Sequence, residues 1–539
     1  MLSRRFASAV PLQRRLLSTH AQGVFQRLGL SPDPTSSETP GVYHGSWGGR
    51  GALVDSINPA NGELLARVRQ ASAEDTEDTL VAAREAYKQW RTVPAPRRGL
   101  VLQDIGRALE EKRDDLGAVV SLEMGKIKSE GRGEVQEIID IVGYAVGLSR
   151  SIGGSVFPSE RPNHFITEVA NPLGVVGVIS AFNFPTAVYG WNLSLSLVNG
   201  NATIWKPAPT TSLCAIATTK IIASVLESHK LPGALSALVC GGGEVGQALV
   251  DDKRVDLLSF TGSEARGKIV GQQVQARFGK SLLELGGNNA AIVLPDANMA
   301  LALPSIAFAA LGTAGQRCTT TRRLFLHSSI ADSFLASLVA AYKSTASRIG
   351  DPLAEGTLIG PVHAQDGVNR YLAAIEQIKK DGGEILVGGK RAEVDAALSK
   401  GNWVEPTIVK VANGGRGFKM MQEETFAPIL YVSTFETLEE AIELNNGVAQ
   451  GLSSALFTQD LSNALKWIGP EGSDTGIVNV NGSTSGAEIG APFGGNKSTG
   501  WGRESGGDAW KQYARWASCT LNWSNEVALA QGVNFSVEE

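Results

Sequence analysis

The chain has 539 residues, of which 43% are hydrophobic and 19% charged, as in globular proteins with large cores. Its 49 basic and 54 acidic residues give a formal net charge of −5, which disfavours a general nucleic-acid-binding role. Four widely spaced cysteines form no CxxC pair, and six histidines show no HExxH spacing. These counts argue against a disulfide scaffold and a zinc ribbon, and we expect no metal site.

The N-terminus has the composition of a mitochondrial transit peptide. Residues 1–32 contain five arginines, no lysine and no acidic residue, with apolar residues between the arginines. A secretory signal would contain an unbroken apolar run, which Arg14 and Arg15 interrupt. We therefore expect residues 1–22 to direct the protein to the mitochondrial matrix, with a cytosolic pool also allowed. A disordered basic tail is the alternative.

Apolar periodicity predicts an α/β fold. Ser72 begins a helix with a capping box, and further helices are predicted at 97–126 and 133–152. The uncharged stretch from Val169 to Trp205 contains prolines and glycines, so we expect no membrane span there. Five short strands then alternate with helices, which predicts a parallel sheet with helices on both faces. The strands are predicted at 174–180, 202–205, 235–240, 256–260 and 281–285, with helices at 211–227, 244–251 and 264–278. A second strand–helix series runs from about residue 290 to 480.

Polar groups follow these strands at the edge where parallel α/β sheets bind ligands. Strand 281–285 carries Glu284 near its end, and a buried Glu needs a partner or a function. A structural hydrogen-bond acceptor is the more common role for such a residue. The GxGxxG pattern from Gly241 to Gly246 is a weak nucleotide signal in a chain with 62 glycines. The loop at Gly262 and Ser263 also begins a helix and could present backbone N–H groups to a phosphate.

Cys318 has unusual neighbours. A lone cysteine is usually a small core hydrophobe, but Gln316, Arg317 and Thr319 are polar or charged. Polar and cationic neighbours favour the thiolate, which is the reactive form of the side chain. The sequence therefore predicts that Cys318 is reactive.

Six motifs, in this order, resemble the NAD(P)-dependent aldehyde dehydrogenase superfamily. They are FNFP (182–185), WKPAP (205–209), FTGS (260–263), LELGGNN (283–289), GQRCT (315–319) and EETFAP (423–428). Longer stretches, such as GTAGQRCTTTRR, are similar to family 7, the antiquitin-type α-aminoadipic semialdehyde dehydrogenases. The resemblance extends from about residue 40 to about residue 525 and implies an aldehyde dehydrogenase-like fold.

The resemblance implies a role for each site residue. Cys318 is the expected nucleophile, the Asn183 amide and the Cys318 backbone N–H the oxyanion hole, and Glu284 the base for thioester hydrolysis. The expected cofactor contacts are Ser180, Phe182, Lys206, Gly246, Gly262, Ser263, Glu424 and Phe426. The expected substrate contacts are Glu137, Arg317, Thr319, Gly486 and Ala487.

The resemblance also implies three structural parts. These are a Rossmann-type NAD-binding domain (41–153 and 173–284), an α/β catalytic domain (285–483) and a small β oligomerisation element (154–172 and 505–525). In such enzymes the last element pairs strands across subunits, which implies a homo-oligomer: a dimer or, as we expect, a tetramer.

Cofactor and substrate are expected from particular residues. Pro209 stands where many members carry an acid that repels the 2′-phosphate of NADP, yet family 7 enzymes look similar here and use NAD, so NAD is expected. The expected substrate is α-aminoadipic semialdehyde, with Glu137 and Arg317 at its charged ends. For Glu137 the alternative is a solvated helix face.

Other functions remain open at this point. They are a broad-range aldehyde dehydrogenase, a nucleotide-independent cysteine hydrolase, a CoA-acylating dehydrogenase and a non-catalytic structural role. Glu284 argues against the CoA-acylating enzyme, which dispenses with a general base. The presence of Cys318, Glu284 and Asn183 argues against a non-catalytic role.

Overall fold

The structure is a computed structural model that describes residues 18–31, 33, 38–529, 531 and 533. Most of the predicted transit peptide, residues 1–17, lies outside the described residues. The helices, in chain order, are α1 (Thr19–Arg27), α2 (Ala73–Trp90), α3 (Ala95–Glu111), α4 (Arg113–Met124), α5 (Lys128–Leu148), α6 (Ala187–Asn199), α7 (Ser212–Ser228), α8 (Gly243–Asp251), α9 (Glu264–Ala276), α10 (Met299–Leu311), α11 (Ser328–Ala346), α12 (Gln365–Lys380), α13 (Leu438–Asn446) and α14 (Leu461–Ile468).

The strands form two large sheets and several small ones. In chain order they are β1 (Glu38–Pro40), β2 (Val42–Tyr43), β3 (Trp47–Gly48), β4 (Leu53–Ile57), β5 (Leu64–Arg69), β6 (Val156–Pro158), β7 (His164–Pro172), β8 (Val175–Ile179), β9 (Ala202–Lys206), β10 (Ser236–Val239), β11 (Val255–Thr261), β12 (Lys280–Glu284), β13 (Asn289–Val293), β14 (Thr321–His327), β15 (Glu384–Val387), β16 (Thr407–Lys410), β17 (Ile429–Phe435), β18 (Gln450–Gly451), β19 (Ser453–Phe457), β20 (Ile477–Val480), β21 (Pro492–Phe493), β22 (Asn496–Lys497), β23 (Glu504–Ser505) and β24 (Ala514–Asn522).

The first large sheet has the strand order β12-β11-β8-β9-β10-β2-β3. Its strands from β12 to β10 are parallel, whereas β2 and β3 add an antiparallel edge. Every residue of β8 and β9 is buried, because helices cover both faces of a parallel sheet. This is the strand–helix alternation that the sequence predicts, and the strand bounds agree to within two residues.

The second large sheet has the order β15-β16-β17-β14-β13-β19-β20 and is parallel except at β15. A third, antiparallel sheet joins β24, β7 and β6 from distant parts of the chain. Its strands expose large apolar side chains, among them Val156, Phe157, Phe165 and Leu521. The smallest sheets are β1-β5-β4, β18-β22 and β21-β23.

One predicted helix is two helices in the structure. The region predicted as a single helix, 97–126, contains α3 and α4 with Lys112 between them. The Lys112 backbone N–H bonds to the carbonyls of Leu109 and Glu110, which ends the first helix in a tight turn. Both helices pack against α5, and the turn between them lets each do so. The capping box at the start of α2 is present as predicted, with Ser72 and Asp75 as its partners.

Helix α1 overlaps the end of the predicted transit peptide. The Ser18 hydroxyl accepts a hydrogen bond from the Ala21 N–H at 3.2 Å, and Ala21, Val24 and Phe25 are buried. Arg27 pairs with Asp115 of α4 at 2.7 Å. Residues 19–22 therefore belong to the folded body of the protein.

One helix in the described part of the chain is long and apolar enough to span a membrane. It combines a 3-10 turn, Pro209–Thr211, with α7, and 78% of its most apolar window is buried inside the protein. It packs against α3, α4 and β10, as expected of a core helix.

Candidate active site

A single cavity of about 630 Å³ lies where the carboxyl ends of the first sheet meet loops of the second. It brings together most of the residues that the sequence singles out: Glu137, Ser180, Phe182, Asn183, Lys206, Gly262, Ser263, Glu284, Arg317, Cys318, Thr319, Glu424, Phe426 and Ala487. Gly246 and Gly486 are outside the lining. Gly246 lies behind Lys206, since a Cβ at Gly246 would be 3.9 Å from the Lys206 Cε.

Cys318 lies in the loop between α10 and β14, and the backbone of this loop is tightly held. Residues 313–315 all have positive φ angles, of 54°, 51° and 72°. At Gly315 this conformation goes with close packing, because a Cβ there would come within 2.5 Å of the Ala427 backbone. The Asn289 amide donates a hydrogen bond to the Cys318 carbonyl at 2.7 Å. The loop thus fixes the position of the cysteine at the cavity wall.

The expectation that sequence neighbours favour the Cys318 thiolate is wrong for this structure. Burial raises the pKa of the Cys318 thiol to about 12, and the negative charges of Glu284 and Glu424 add to this effect. Arg317, the cationic neighbour, directs its guanidinium to Glu130 instead, with Nη2 and Oε1 2.6 Å apart. The thiol is therefore protonated at neutral pH and must lose its proton before it can attack.

Glu284 ends β12 and is 4% exposed. Neither carboxyl oxygen has a hydrogen-bond partner among the described residues. Burial, together with the nearby acid Glu504, raises the pKa of Glu284 well above its ordinary value. Gly494, with φ of +155°, makes room for the carboxyl, since a Cβ there would lie 2.6 Å from Glu284 Oε1. A buried carboxyl without a partner does not fit a structural acceptor, so the geometry favours the base.

Two hydrogen-bond donors near the nucleophile are free. Asn183 follows β8 and is buried, and its side-chain amide makes no hydrogen bond with any described residue. The backbone N–H of Cys318 likewise has no partner in the described chain. Two preorganised, unpaired donors at a cavity that holds a nucleophile are the elements of an oxyanion hole.

Unpaired polar groups also converge at the strand ends of the first sheet. Lys206 ends β9 and is buried, and its ammonium makes no ion pair or hydrogen bond with a described residue. Burial lowers the pKa of Lys206 to about 8. The Thr261 hydroxyl at the end of β11 is buried and unpartnered as well, and Ser263 precedes the first turn of α9. A lone ammonium, a free hydroxyl and a helix N-terminus fit a ligand with ribose hydroxyls and phosphates.

Glu424 and Phe426 border the same end of the cavity. The Glu424 carboxylate accepts from the Arg322 guanidinium at 3.0 Å and from the Gly287 N–H at 3.2 Å. Phe426 has a φ of +57° and meets the ring of Phe182 edge-on at 5.9 Å. The ring of Phe182 also contacts a second ring, from a residue that no sequence motif indicated.

That residue is His363, whose ring stacks on Phe182 at 4.6 Å. Its Nε2 is 2.7 Å from the Thr210 hydroxyl, and burial lowers the pKa of His363 to about 4. The ring is therefore neutral at physiological pH. No motif surrounds His363 in the sequence, so only its position in the fold shows the contact.

Charged groups line the remaining end of the cavity. Burial raises the pKa of Glu137 to about 7, and its carboxylate makes no hydrogen bond with a described residue. Arg317 Nη2 is paired with Glu130, whereas Nη1 has no partner in the described chain. The Thr319 hydroxyl lies 3.0 Å from that of Ser485. Glu137 thus faces the cavity and is not a solvated surface residue.

No group of three or more His, Cys, Asp or Glu side chains among the described residues could hold a metal ion.

The fold and the site define a cysteine enzyme with a nucleotide-binding sheet, and comparison with known proteins gives its family. Residues 48–519 match the family model described as "Aldehyde dehydrogenase family", and the chain belongs to this family. It is an aldehyde dehydrogenase, and the relatives to which it is similar include members of family 7.

Two relatives and one solved structure illustrate the similarity of the chain to this family. The chain is 56% identical to the α-aminoadipic semialdehyde dehydrogenase of Bos taurus, over 92% of this chain and 91% of that protein. It is 55% identical to aldehyde dehydrogenase family 7 member A1 of Pisum sativum, over 95% and 98% of the two chains. The betaine aldehyde dehydrogenase of Staphylococcus aureus, solved in complex with NAD+, superposes with a TM-score of 0.87 at 29% identity, over 96% and 100% of the chains. Family membership and this neighbour support NAD(P) as the cofactor.

Proposed function

We propose that this enzyme oxidises α-aminoadipic semialdehyde to the carboxylate with NAD as the hydride acceptor. The observation that carries the proposal is the charged end of the cavity. Glu137 presents a carboxylate without a hydrogen-bond partner, and Arg317 presents a guanidinium with one free nitrogen, beside Cys318. A zwitterionic aldehyde supplies the opposite charges, and relatives that are 54–56% identical carry the name of this activity.

The residues present can carry out the two halves of the reaction. The Cys318 sulfur, once deprotonated, adds to the aldehyde carbon, and the Asn183 amide and Cys318 N–H bind the resulting oxyanion. A bound NAD would supply the hydride acceptor for the oxidation of this carbon, and the oxidised group would then be a thioester on Cys318. Glu284 takes a proton from the water that attacks the thioester, which releases the carboxylate and regenerates the thiol.

We assign eight residues of the cavity lining to the binding of NAD: Lys206, Thr261, Gly262, Ser263, Ser180, Phe182, Glu424 and Phe426. Pro209 lines the cavity close to Lys206 in the chain and carries no charge that would repel a 2′-phosphate. The proposed preference for NAD therefore rests on the family 7 resemblance, and parallel assays with NAD and NADP test it.

The experiment that tests the substrate compares semialdehydes that differ only in charge. We expect kcat/KM to be highest for α-aminoadipic semialdehyde and lower for hexanal, which lacks both charges. Glu137→Gln and Arg317→Ala should each lower kcat/KM for the semialdehyde about tenfold or more, which corresponds to about 1.4 kcal/mol. An equal fall for hexanal in Glu137→Gln would instead indicate a broad-range aldehyde dehydrogenase.

We also propose a mitochondrial location, with a cytosolic pool, on the composition of residues 1–22. A reporter fused to this segment should enter mitochondria, whereas replacement of Arg4, Arg5, Arg14 and Arg15 by Gln should leave it in the cytosol. Import that is unchanged by these substitutions would contradict the proposal. Because α1 begins at Thr19 and Ala21 is buried, removal of the leader before Ser18 would leave the folded body intact.

We propose that the three-part division holds in the enzyme and that the β24-β7-β6 sheet mediates homo-oligomerisation, to a tetramer. The apolar side chains exposed on this sheet support the proposal, since large apolar side chains concentrated on an exposed sheet are typical of interaction sites. Sedimentation of the wild type and of Phe157→Glu is the test. A wild-type monomer, or a variant with unchanged mass, would contradict it.

A further inference from the structure

The loop that carries Asn183 is held by a glutamate from another helix. Thr186 precedes α6 as its N-cap residue, but its side chain makes no capping hydrogen bond. Glu134 of α5 caps this helix end in place of the Thr186 side chain. The Glu134 Oε1 accepts hydrogen bonds from the Thr186 N–H at 2.7 Å, the Thr186 hydroxyl at 2.9 Å and the Ala187 N–H at 3.2 Å. The end of the loop 183–186 is thereby fixed to α5 by three hydrogen bonds.

The second oxygen of Glu134 is paired with Lys126. The Lys126 ammonium donates to Oε2 at 2.7 Å, and both side chains are almost fully buried. The same ammonium lies over the ring of Phe184, 3.4 Å from its centroid. Lys126 and Glu134 therefore contact the Asn183 loop at Phe184 and at Thr186, on the C-terminal side of the free amide.

Helix α5 also bears Glu137, one turn beyond Glu134, at the charged end of the cavity. A single rigid helix thus places both the group proposed to bind substrate and the carboxylate that holds the oxyanion loop. Displacements of about 1 Å from the productive geometry can cost about 100-fold in rate, so such fixing matters for catalysis.

We propose that Glu134, with its counter-ion Lys126, is a positioning residue that holds the Asn183 amide in place for the oxyanion. This rests on the proposed function, because it requires Asn183 to be an oxyanion-hole donor. Glu134 is not among the residues that line the cavity, so its effect on the reaction passes through the loop.

The chain offers a matched control in Glu123. This residue is also buried and also caps a helix from outside, since it accepts from the Leu213 and Cys214 N–H groups at the start of α7. It does not line the cavity. Glu123→Gln therefore measures how much kcat changes when a buried helix cap is disturbed but the Asn183 loop is not.

The test measures kcat and the KM for NAD of the full-length enzyme, with hexanal and with the semialdehyde as substrates. Thermal unfolding of each variant first shows that it is folded at the assay temperature. Glu134→Gln should lower kcat about tenfold or more for both aldehydes, with the KM for NAD within about twofold of wild type. Glu123→Gln should leave kcat within about twofold. Thr186→Val, which leaves the buried ion pair intact, should lower kcat in the same direction by a smaller factor.

The double variant with Asn183→Ala distinguishes positioning from general damage. If Glu134 acts through Asn183, Glu134→Gln should cost less than about twofold once the amide has been removed. A full multiplicative loss in the double variant, or equal effects of Glu134→Gln and Glu123→Gln, would overturn the proposal. If Asn183→Ala alone left kcat unchanged, the oxyanion role in the proposed function would fail and this inference with it. If Asn183→Ala lowered kcat and Glu134→Gln did not, only this inference would fail.

Discussion

The two ends of the cavity differ in how their polar groups are satisfied. At the strand ends of the first sheet, the Lys206 ammonium and the buried Thr261 hydroxyl have no hydrogen-bond partner in the described chain. At the end formed by Glu137 and Arg317, Arg317 Nη2 is paired with Glu130, whereas Arg317 Nη1 and the Glu137 carboxyl have no hydrogen-bond partner among the described residues. Buried polar groups are normally satisfied within the protein, so unpaired ones on the wall of a cavity mark places where a ligand can supply the missing partner.

This difference separates binding residues from residues that hold them. Lys206, Thr261, Asn183 and Glu137 are available to a ligand, whereas Glu130 and Glu134 use their hydrogen-bonding capacity on protein groups. Cys318 and Glu284 also line the cavity, and burial raises the pKa of both groups above its ordinary value. Variants at each of these positions can therefore test whether the two ends work separately.

The largest effect is expected where the two ends meet, at Cys318. Cys318→Ala removes the only sulfur that lines the cavity among the described residues, so dehydrogenase activity should fall below about 1% of wild type. NAD binding, measured by quenching of tryptophan fluorescence, should remain, because the cofactor end is intact. Residual turnover above that level would show that another group is the nucleophile.

Glu284→Gln should show a different kinetic defect. Acylation and hydride transfer do not need this carboxyl as a base, but thioester hydrolysis does, so steady-state turnover should fall about 100-fold. Stopped-flow measurement should still show a burst of NADH before the slow phase. Loss of the burst itself would assign Glu284 to an earlier step, such as proton removal from Cys318.

Sequence patterns predicted most of the fold because they are local. Strand β8 is fully buried and apolar, so its bounds could be predicted from the run GVVGVIS. The break at Lys112 could not be predicted, because the apolar pattern of α3 continues into α4 and the turn depends on packing against α5. Motifs likewise predicted the lining of the cavity, whereas Gly246 and Gly486 lie just outside it.

Contacts between distant segments explain the errors at the site. Arg317 adjoins Cys318 in the sequence, but its guanidinium binds Glu130, 187 residues away. The pKa of Cys318 depends on burial and on Glu284 and Glu424, which are not its neighbours in the sequence. His363 and Glu134 carry no local signature, since their partners Phe182 and Thr186 come from other parts of the chain.

Lys206 provides a test of the cofactor end alone. Lys206→Met keeps most of the length of the side chain but removes its unpaired ammonium, so the KM for NAD should rise about tenfold, with a smaller change in kcat. Lys220→Met is a matched control, because Lys220 lies on α7 over the ring of Trp47 and outside the cavity lining. Equal KM values for both variants would remove Lys206 from the cofactor site.

The smallest effect, and the sharpest test of the charged end, is a pH dependence. Burial raises the pKa of Glu137 to about 7, so its carboxylate is charged above this pH and becomes neutral as the pH falls through it. The attraction to a substrate ammonium is present on the alkaline side and is lost on the acidic side. Lys126, Glu134, Asp140 and Arg317 are the other charged groups that act on Glu137.

The ratio of kcat/KM for α-aminoadipic semialdehyde to kcat/KM for hexanal isolates this titration. Both aldehydes depend equally on Cys318 and Glu284, so the titration of these two groups cancels in the ratio. The ratio should fall several-fold, up to about tenfold, between pH 8 and pH 6, and it should be low and independent of pH in Glu137→Gln. A ratio that fell equally in wild type and in Glu137→Gln would arise from another group. The carboxylate at this end of the cavity would then have no role in choosing the substrate, although the cofactor end would remain as described.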